Sequence, residues 1–265
     1  MARTAAHLGQ HFLASPVAVA AMVAAAHIDE RSTVLEIGPG QGVLTEALLA
    51  AGARVVAIEK DPALALGLRG RFAGEIAAGK LVLIEGDTRD HAPDSLPIEG
   101  AYAVAANIPY YITGEIIRTL LTAKHQPTTI ALLIQKEVAQ RIVARDGKES
   151  ILSLSVKAYG VPRIVRTVPA GAFRPAPSVD SAILAIEDVP RAFFGGFSED
   201  AFFRIVKAGF AEKRKQLGGN LKALASAEEV SRALASAGID PTVRAEDVAL
   251  QQWAALAMAF PAKQG

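Results

Sequence analysis

The residues of this sequence that are best suited to chemistry lie in two short segments, each of which follows a run of apolar residues typical of a buried strand. The first segment is residues 36–42, Glu-Ile-Gly-Pro-Gly-Gln-Gly, and the second is residues 107–111, Asn-Ile-Pro-Tyr-Tyr. Glycines such as Gly38 and Gly40 allow the backbone to adopt positive φ and to approach a ligand closely. Because ligands of open parallel sheets bind at the carboxyl ends of the strands, we expect both segments to line one site.

Two acidic residues follow the next two predicted strands and indicate which ligand this site binds. Glu59 ends the second strand, and Asp87 comes shortly after the third. An ionised carboxylate only accepts hydrogen bonds, so Glu59 suits the hydroxyl groups of a ribose and Asp87 suits the amino group of an adenine. With the glycine loop, these acceptors predict an adenosine pocket without a phosphate clamp, as S-adenosyl-L-methionine (S-adenosylmethionine) requires. Asp87 alone is equally compatible with a turn or a helix cap.

A dinucleotide-binding loop is the main alternative for the glycine segment. Its pattern is Gly-x-Gly-x-x-Gly, and the third glycine permits close packing of the helix against the pyrophosphate. Counted from Gly38 the third position is Val43, and counted from Gly40 it is Thr45. Neither frame fits, so the sequence disfavours an NAD-dependent enzyme.

The second segment predicts transfer of a group to an amino nitrogen. The side-chain carbonyl of Asn107 and a nearby backbone carbonyl can both accept hydrogen bonds from an exocyclic amine. Pro109 lacks a backbone donor and has a fixed φ, and Tyr110 offers a ring on which an extruded base can stack. An amine held in this way can attack a sulfonium methyl group without a strong general base. Asn107, Pro109 and Tyr110 are therefore the predicted catalytic residues, although a proline-terminated strand with two interfacial tyrosines is an alternative.

The elements that position these residues predict an α/β protein with a doubly wound, Rossmann-like parallel sheet. Five buried strands, at residues 34–37, 55–58, 81–84, 102–105 and 130–134, alternate with helices at residues 44–51, 62–78, 113–123 and 136–145. Thr113 is the predicted N-cap of the third of these helices.

The pattern changes after about residue 150. A helical stretch at residues 151–159 precedes two further strands, residues 162–168 and 181–187, which end the sheet. Residues 188–196 are predicted to be a linker, and helices follow at residues 199–210, 227–237 and 245–260. We therefore predict a methyltransferase-type sheet domain at residues 1–189 and a small all-helical domain at residues 190–265.

The composition excludes several classes of site. The 265 residues are 51% hydrophobic, carry a formal charge of +1 and include no cysteine, so disulfides, thiolate metal sites and thiol nucleophiles are excluded. The first residues lack the apolar stretch of a signal peptide, and the longest apolar run, residues 16–26, is too short to span a bilayer. We predict a cytoplasmic protein without a membrane partner.

Positive charge is concentrated in two segments, although the chain as a whole is nearly neutral. Residues 124–174 contain nine Lys or Arg against three Asp or Glu, and residues 201–222 contain six against one. Clusters of this kind can hold the phosphates of a nucleic acid, although many are only solvated surfaces. Next to a base-modifying site, we interpret them as an RNA-binding surface.

We predict no metal site. His7 and His11 have the spacing of metal ligands on a helix, but Gly9 lies between them and no third ligand is near.

Five segments spread along the chain resemble one known family, the small-subunit ribosomal RNA adenine dimethyltransferases. The segments are residues 9–13 (Gly-Gln-His-Phe-Leu), 36–40 (Glu-Ile-Gly-Pro-Gly), 107–111 (Asn-Ile-Pro-Tyr-Tyr), 173–181 (Phe-Arg-Pro-Ala-Pro-Ser-Val-Asp-Ser) and 238–246 (Gly-Ile-Asp-Pro-Thr-Val-Arg-Ala-Glu). The resemblance implies that the protein transfers four methyl groups from S-adenosylmethionine to N6 of two adjacent adenines. It also implies that the partner is ribosomal RNA within the immature small ribosomal subunit.

The resemblance also implies roles for individual residues. The cofactor positions of the family fall on six residues: His11, Leu13, Gly38, Glu59, Asp87 and Asn107. Tyr110 falls on the position that stacks on the target adenine, and Phe173 falls on a second aromatic position near it. Lys213, Arg214 and Lys215 resemble a basic, RNA-contacting helix of the family.

The sequence departs from the family pattern at two positions. His11 stands where many members have Asn, and the Asn that usually follows the basic residues falls one place later, at Asn220.

Two further functions remain open at this point. One is methylation of N6 of an adenine in large-subunit ribosomal RNA, which residues 238–246 disfavour by resemblance. The other is a non-catalytic RNA-binding assembly factor, which the presence of Glu59, Asp87 and Asn107 disfavours.

Overall fold

A computed structural model describes residues 11–190 and 192–260 of the chain. His7, Gly9 and Gln10, on which predictions were made above, lie outside these residues. The described residues form two compact units, one of residues 11–140 and 160–190 and the other of residues 141–159 and 192–260.

The first unit is built on a seven-stranded sheet, which confirms the predicted α/β class. Its strands are β2 (Thr33–Ile37), β3 (Arg54–Glu59), β4 (Leu81–Glu85), β5 (Ala103–Asn107), β6 (Thr129–Gln135), β7 (Val161–Val168) and β9 (Ser181–Glu187). The spatial order is β4-β3-β2-β5-β6-β9-β7. The first five strands are parallel, whereas β9 runs antiparallel to both β6 and β7.

Helices follow most of the parallel strands, as the alternation in the sequence predicted. They are α2 (Val43–Ala50), α3 (Pro62–Arg71), α4 (Ala73–Ala77), α5 (Thr113–Thr122) and α6 (Lys136–Val143), and a further helix, α1 (Pro16–Ala25), precedes β2. The side chains of β2, β3, β5 and β6 are almost all buried, which is expected of strands covered on both faces. None of the helices in the described residues is long and apolar enough to cross a membrane, and the cytoplasmic location stays a prediction.

A second, two-stranded sheet was not predicted. It joins β1 (Phe12–Leu13) to β8 (Phe173–Arg174) in antiparallel pairing, with Phe12 opposite Arg174 and Leu13 opposite Phe173. Strands of two residues have no detectable alternation, so nothing local in the sequence indicates them. The pairing places the first and fourth sequence motifs side by side.

Three predicted details of the helices were wrong. The helix predicted at residues 245–260 is a 3₁₀ turn at Ala245–Asp247 followed by a separate α-helix at Leu250–Ala259. Thr113 is the first helical residue rather than the N-cap, because a 3₁₀ turn at Tyr110–Ile112 leads directly into α5 and makes Ile112 the N-cap. The helix predicted at residues 62–78 is divided at Phe72, whose φ of −110° and ψ of 29° are not helical. The Phe72 side chain is buried and lies against Gly42.

The second unit consists of helices α7 (Ile151–Lys157), α8 (Glu199–Gly209), α9 (Leu217–Leu221), α10 (Ala227–Ser236) and α11 (Leu250–Ala259). Residues 141–159, which the prediction assigned to the sheet domain, belong to this unit. The Glu149 amide donates a hydrogen bond to the Glu246 carbonyl at 2.8 Å, and Lys148 forms an ion pair with Asp247. The residues in these contacts are about 100 positions apart in the sequence, so local sequence patterns do not indicate that they meet.

The segment predicted to be a linker, residues 188–196, is in part packed. The rings of Phe193 and Phe194 lie 5.2 and 5.9 Å from the ring of Phe202 on α8, in edge-to-face arrangements. Aromatic residues in this segment therefore contribute to the core of the second unit.

We predict that Gly209→Ala destabilises the protein. A methyl group on Gly209 would lie 2.4 Å from the Trp253 ring and 2.8 Å from Leu217. Because the buried indole cannot move away freely, we expect the free energy of unfolding to fall by about 1–3 kcal/mol in urea titrations. Gly70→Ala on α3 is the control, because a methyl group there meets nothing within 4 Å. It should be neutral or slightly stabilising, and equal stability of the two variants would contradict the prediction.

Candidate active site

A cleft that is partly open to solvent lies at the carboxyl ends of β2, β3, β4 and β5 in the first unit. It brings together every predicted catalytic and cofactor-binding residue. They are His11, Leu13, Gly38, Gly40, Glu59, Asp87, Asn107, Pro109 and Tyr110. The residues that follow these strands therefore meet in one cleft, as expected from the parallel sheet.

The glycine loop and Glu59 form one hydrogen-bonded unit. The Gly40 amide donates to Glu59 Oε2 at 2.9 Å, and the Asp61 amide donates to Glu59 Oε1 at 2.9 Å. Gly38 and Gly40 have φ of 68° and 59°, which L side chains rarely adopt. The Glu59 side chain is held rigidly, and each oxygen keeps a second lone pair that can accept a ribose hydroxyl.

Gly40 is also constrained by its neighbour in the cleft. A methyl group at Gly40 would lie 3.1 Å from the ring of Phe12 on β1. The loop therefore fits closely under the Phe12 ring, and the space beside it forms a cradle for a small ligand.

Asp87 combines the two roles that the sequence left open. Its Oδ1 accepts from the Arg89 amide at 3.0 Å and so caps a 3₁₀ turn at Thr88–Asp90, while its side chain also lines the cleft. Arg89 Nη2 and Lys60 Nζ lie 2.6 and 2.8 Å from Oδ2. Arg89, followed by Lys60, holds the pKa of Asp87 well below its usual range. Lys60 and Arg89, the two Lys or Arg residues that line the cleft in the described part of the chain, are thus engaged by Asp87, in keeping with a nucleoside site that has no phosphate clamp.

Glu36 is a cleft residue whose state the sequence did not indicate. Its side chain is only 1% exposed, and Oε2 accepts a hydrogen bond from Thr45 Oγ1 at 2.7 Å. Burial raises the pKa of Glu36 to about 8, and nearby Glu59 adds to this shift against the opposing hydrogen bond from Thr45. Glu36 is therefore a neutral acid over much of the physiological range.

Asn107 presents an acceptor whose orientation is determined by a backbone contact. Its Nδ2 donates to the His11 carbonyl at 3.0 Å. Among the described residues none donates to Oδ1, so this oxygen is the one left to accept from a bound amine. The same contact links the end of β5 to the segment that precedes β1.

Tyr110 is held on two sides. Its hydroxyl group shares a hydrogen bond of 2.7 Å with Ser181 Oγ at the start of β9, and Ser181 is fully buried. The His11 ring is stacked against the Tyr110 ring, with centroids 6.2 Å apart and an interplanar angle of 27°. His11 Nδ1 in turn donates to the Pro175 carbonyl at 2.9 Å. Ser181 was missed as a functional residue, because only the fold shows that its hydroxyl group meets Tyr110.

Phe173, predicted to lie near the target base, is placed in the core. Its side chain is 1% exposed and does not line the cleft. Successive side chains of a strand point to opposite sides, and in β8 it is Arg174 that faces outward. The Phe173 ring is thus a core residue beneath the paired strands, and its place near the target base stays a prediction.

The basic residues Lys213, Arg214 and Lys215 lie in the second unit, on an exposed turn before α9 rather than on a helix. Buried Asn220 organises this turn, because its Nδ2 donates to the Gly209 and Glu212 carbonyls at 2.6 and 3.1 Å. Lys215 forms an ion pair with Glu212. A contact between this turn and RNA stays a prediction.

No three His, Asp or Glu side chains converge as metal ligands within residues 11–190 and 192–260.

Comparison with known proteins relates the whole chain to one family. The family described as "Ribosomal RNA adenine dimethylase" matches residues 1–260. The protein named "Ribosomal RNA small subunit methyltransferase A" from Dehalococcoides mccartyi is 40% identical over 259 residues, which are 96% of this chain and 87% of that protein. Its namesake from Thermosynechococcus vestitus is 39% identical over 266 residues, covering 97% and 96% of the two chains.

Solved structures of similar proteins share the fold. A crystal structure of the 23S rRNA methyltransferase ErmE is 25% identical with a TM-score of 0.78, covering 94% of this chain and 99% of that one. A dimethyladenosine transferase from Plasmodium falciparum is 24% identical with a TM-score of 0.79, covering 93% and 96%. The predicted architecture is thus confirmed over nearly the whole chain.

We predict that Glu36→Gln changes how stability depends on pH. Between pH 4.5 and about 8 the native protein keeps a proton on Glu36 that the unfolded chain releases, so wild-type stability falls as pH rises. The stability of Glu36→Gln relative to the wild type should grow by on the order of 1 kcal/mol per pH unit in this window and then level off.

Urea titrations at roughly one-unit steps of pH between the unfolded and native pKa values of Glu36 measure this difference in stability. Glu99→Gln, which removes an exposed carboxylate, controls for the change in net charge. Parallel stability curves for Glu36→Gln and the wild type would show that Glu36 is not held protonated.

Proposed function

Because this chain belongs to the ribosomal RNA adenine dimethylase family, we propose that its cleft holds S-adenosylmethionine beside an extruded adenine of small-subunit ribosomal RNA. The protein is an S-adenosylmethionine-dependent rRNA adenine N6-dimethyltransferase. The observation that supports the proposed roles is the meeting of Asn107 and Tyr110 with Gly38, Glu59 and Asp87 in one cleft. The natural substrate in this proposal is the immature small ribosomal subunit.

The cleft fits the cofactor by the chemistry of its donors and acceptors. Glu59 offers acceptors for the ribose hydroxyl groups. The Asp87 oxygens accept from Arg89 and Lys60 in this structure, so Asp87 binds the adenine amino group by releasing one of these side-chain contacts. The glycine loop lies close to the Phe12 ring and leaves space beside it for a small ligand. His11 and Leu13 line the same cleft, as does Asn107. When bound, S-adenosylmethionine supplies a methyl group on a sulfonium sulfur.

Asn107 orients the amine that receives the methyl group. Its Nδ2 is held by the His11 carbonyl, so Oδ1 can accept one N6 hydrogen and leave the nitrogen lone pair directed away from it. An amide oxygen is too weak a base to remove the proton, so Asn107 acts by positioning rather than as a general base. When the S–CH3 bond breaks and the N6–CH3 bond forms, the methylated amine becomes cationic and loses its proton to water, since the cleft is partly open to solvent. Pro109 keeps the backbone after Asn107 extended, with φ of −58° and ψ of 134°.

Tyr110 supports the base whose amine Asn107 holds. Stacking on an aromatic ring is worth about 1–3 kcal/mol per base, which offsets part of the cost of extruding it. Ser181 and His11 restrict the Tyr110 ring before any substrate arrives, so less conformational entropy is lost on binding.

The relatives favour small-subunit over large-subunit RNA. The two relatives at 39–40% identity are both named for the small subunit, whereas the 23S enzyme ErmE is 25% identical. A purely non-catalytic assembly factor would have no need of the acceptors at Glu59, Asp87 and Asn107. We assign the exposed turn of Lys213, Arg214 and Lys215 in the second unit to phosphate contacts.

Methyl transfer to immature small subunits tests this function, with Asn107→Ala as the diagnostic variant. Wild type should produce N6,N6-dimethyladenine at two adjacent adenines, located by mass spectrometry of the RNA, and large-subunit RNA should receive none. Asn107→Ala should lower kcat by about 100-fold, because a misplaced amine loses the near-attack geometry. An unchanged thermal melting curve is the folding control.

The proposal fails if the wild type binds S-adenosylmethionine in calorimetry but transfers no methyl group to small subunits. Full activity of Asn107→Ala would remove the amine-orienting role while leaving the family assignment intact.

We also predict a positioning role for Ser181. Ser181→Ala removes the partner of the Tyr110 hydroxyl group and should lower kcat by roughly 3- to 10-fold, about the value of one hydrogen bond. The KM for S-adenosylmethionine should not change, because Ser181 does not line the cleft. Ser181→Thr keeps the hydroxyl group and should restore most of the rate. A loss that Thr does not rescue, or an equal rise in the KM for the cofactor, would indicate a general structural defect.

A further inference from the structure

The Tyr111 side chain differs from the other Phe, Tyr and Trp side chains of the chain because it is exposed to solvent. The chain has ten Phe, four Tyr and one Trp, and the structure describes them all. Tyr111 is the only one of these side chains that is exposed, at 71%. Leaving a large ring in water forgoes the stabilisation that its burial would give, so its position calls for an explanation.

The exposed ring lies at the cleft and not at a random place on the surface. Tyr111 lines the cleft together with Asn107 and Tyr110, and the other large hydrophobic side chains that are exposed in the described residues do not line it. Tyr110 and Tyr111 are consecutive residues of one 3₁₀ turn between Pro109 and α5. The backbone that carries both rings is therefore short and rigid.

The two tyrosines differ in what already holds them. The Tyr110 ring is stacked against His11, and its hydroxyl group is bound to Ser181. Within the described part of the chain, no ring or cation stacks on Tyr111, and nothing forms a hydrogen bond with its hydroxyl group. Nearby Arg89 is committed to Asp87. Among residues 11–190 and 192–260, no ring or guanidinium group therefore covers either face of the Tyr111 ring.

We propose that Tyr111 is a second stacking platform, which holds the nucleobase next to the target adenine while Tyr110 holds the target itself. This inference rests on the proposed function and adds to it a subsite for the flanking nucleotide. The substrate has two adjacent adenines, so whichever is in the reacting position has the other as a neighbour. An exposed aromatic ring beside the reacting position provides a surface for that neighbour, since every base has a face that can stack.

The subsite has a consequence for specificity. Purines have a larger stacking surface than pyrimidines, so a platform at Tyr111 favours target adenines that are flanked by a second purine. Tyr111 lies on one side of Tyr110, so the contact serves the adenine of the pair whose partner lies on that side when it is in the reacting position. Tyr111 is thus a specificity-determining residue and takes no part in the transfer itself.

The test combines a change in the protein with a change in the RNA. On small subunits with natural RNA, Tyr111→Ala should lower kcat/KM for RNA by about 10-fold, whereas Tyr111→Phe, which keeps the ring, should stay within about 2-fold of the wild type. Leu66→Ala is the matched control, because Leu66 is 70% exposed but does not line the cleft. It should leave kcat/KM unchanged.

The second arm uses reconstituted subunits in which one adenine of the pair is replaced by an abasic ribose. On this RNA, kcat/KM of the wild type should fall to the value that Tyr111→Ala has on natural RNA. The kcat/KM of Tyr111→Ala should not fall further, because that variant has already lost the contact. If Tyr111→Ala lowers kcat/KM equally on natural and abasic RNA, or does not lower it on natural RNA, Tyr111 does not bind the flanking base.

A binding measurement separates failure of the subsite from failure of the proposed function. With 2-aminopurine in the flanking position, stacking on Tyr111 should quench its fluorescence with the wild type and Tyr111→Phe but not with Tyr111→Ala. This readout needs no methyl transfer. If the wild type binds the RNA without this quenching, the subsite is wrong even if methylation is normal, and if it quenches without methylating, the proposed function is wrong.

Discussion

The parallel pairing of four neighbouring strands is the constraint on which the site depends. Ile37 at the end of β2 pairs with Ile58 on one side and with Ala106 on the other, and Glu59 pairs with Glu85. Because all four strands run in the same direction, the residues that follow them reach one edge of the sheet. A slip of one residue in any pair would turn an acidic or amide side chain into the core.

At that edge, polar groups are held by contacts that cross from one strand end to the next. The Gly40 amide after β2 binds Glu59 at the end of β3, and Asn107 at the end of β5 binds the carbonyl of His11. Glu36 is the exception, because its carboxyl group is buried, and burial raises its pKa to about 8 despite the hydrogen bonds that it accepts from Thr45. The cleft thus combines preorganised acceptors with an acid that burial keeps neutral.

The substrate side of the cleft depends on segments far from the sheet edge in sequence. The pairing of β1 with β8 brings the segment around His11 to that around Pro175, and the Tyr110 ring lies between His11 and Ser181. Tyr110 is consequently restrained, whereas Tyr111, the next residue, is not. This difference between neighbouring residues underlies the assignment of two distinct base-stacking positions.

The sequence by itself determined the strands of the main sheet, most of the helices, and the predicted cleft residues at the ends of β2, β3, β4 and β5. These follow from local patterns and from the rule that strand ends share an edge, which needs no knowledge of distant contacts. Only the tertiary structure decided that Ser181 restrains Tyr110, that Lys60 and Arg89 engage Asp87, and that Phe173 is buried. It also decided that residues 141–159 belong with the helical unit. The physical reason is that burial, and most of these contacts, depend on groups that are far apart in the chain and meet only when it folds.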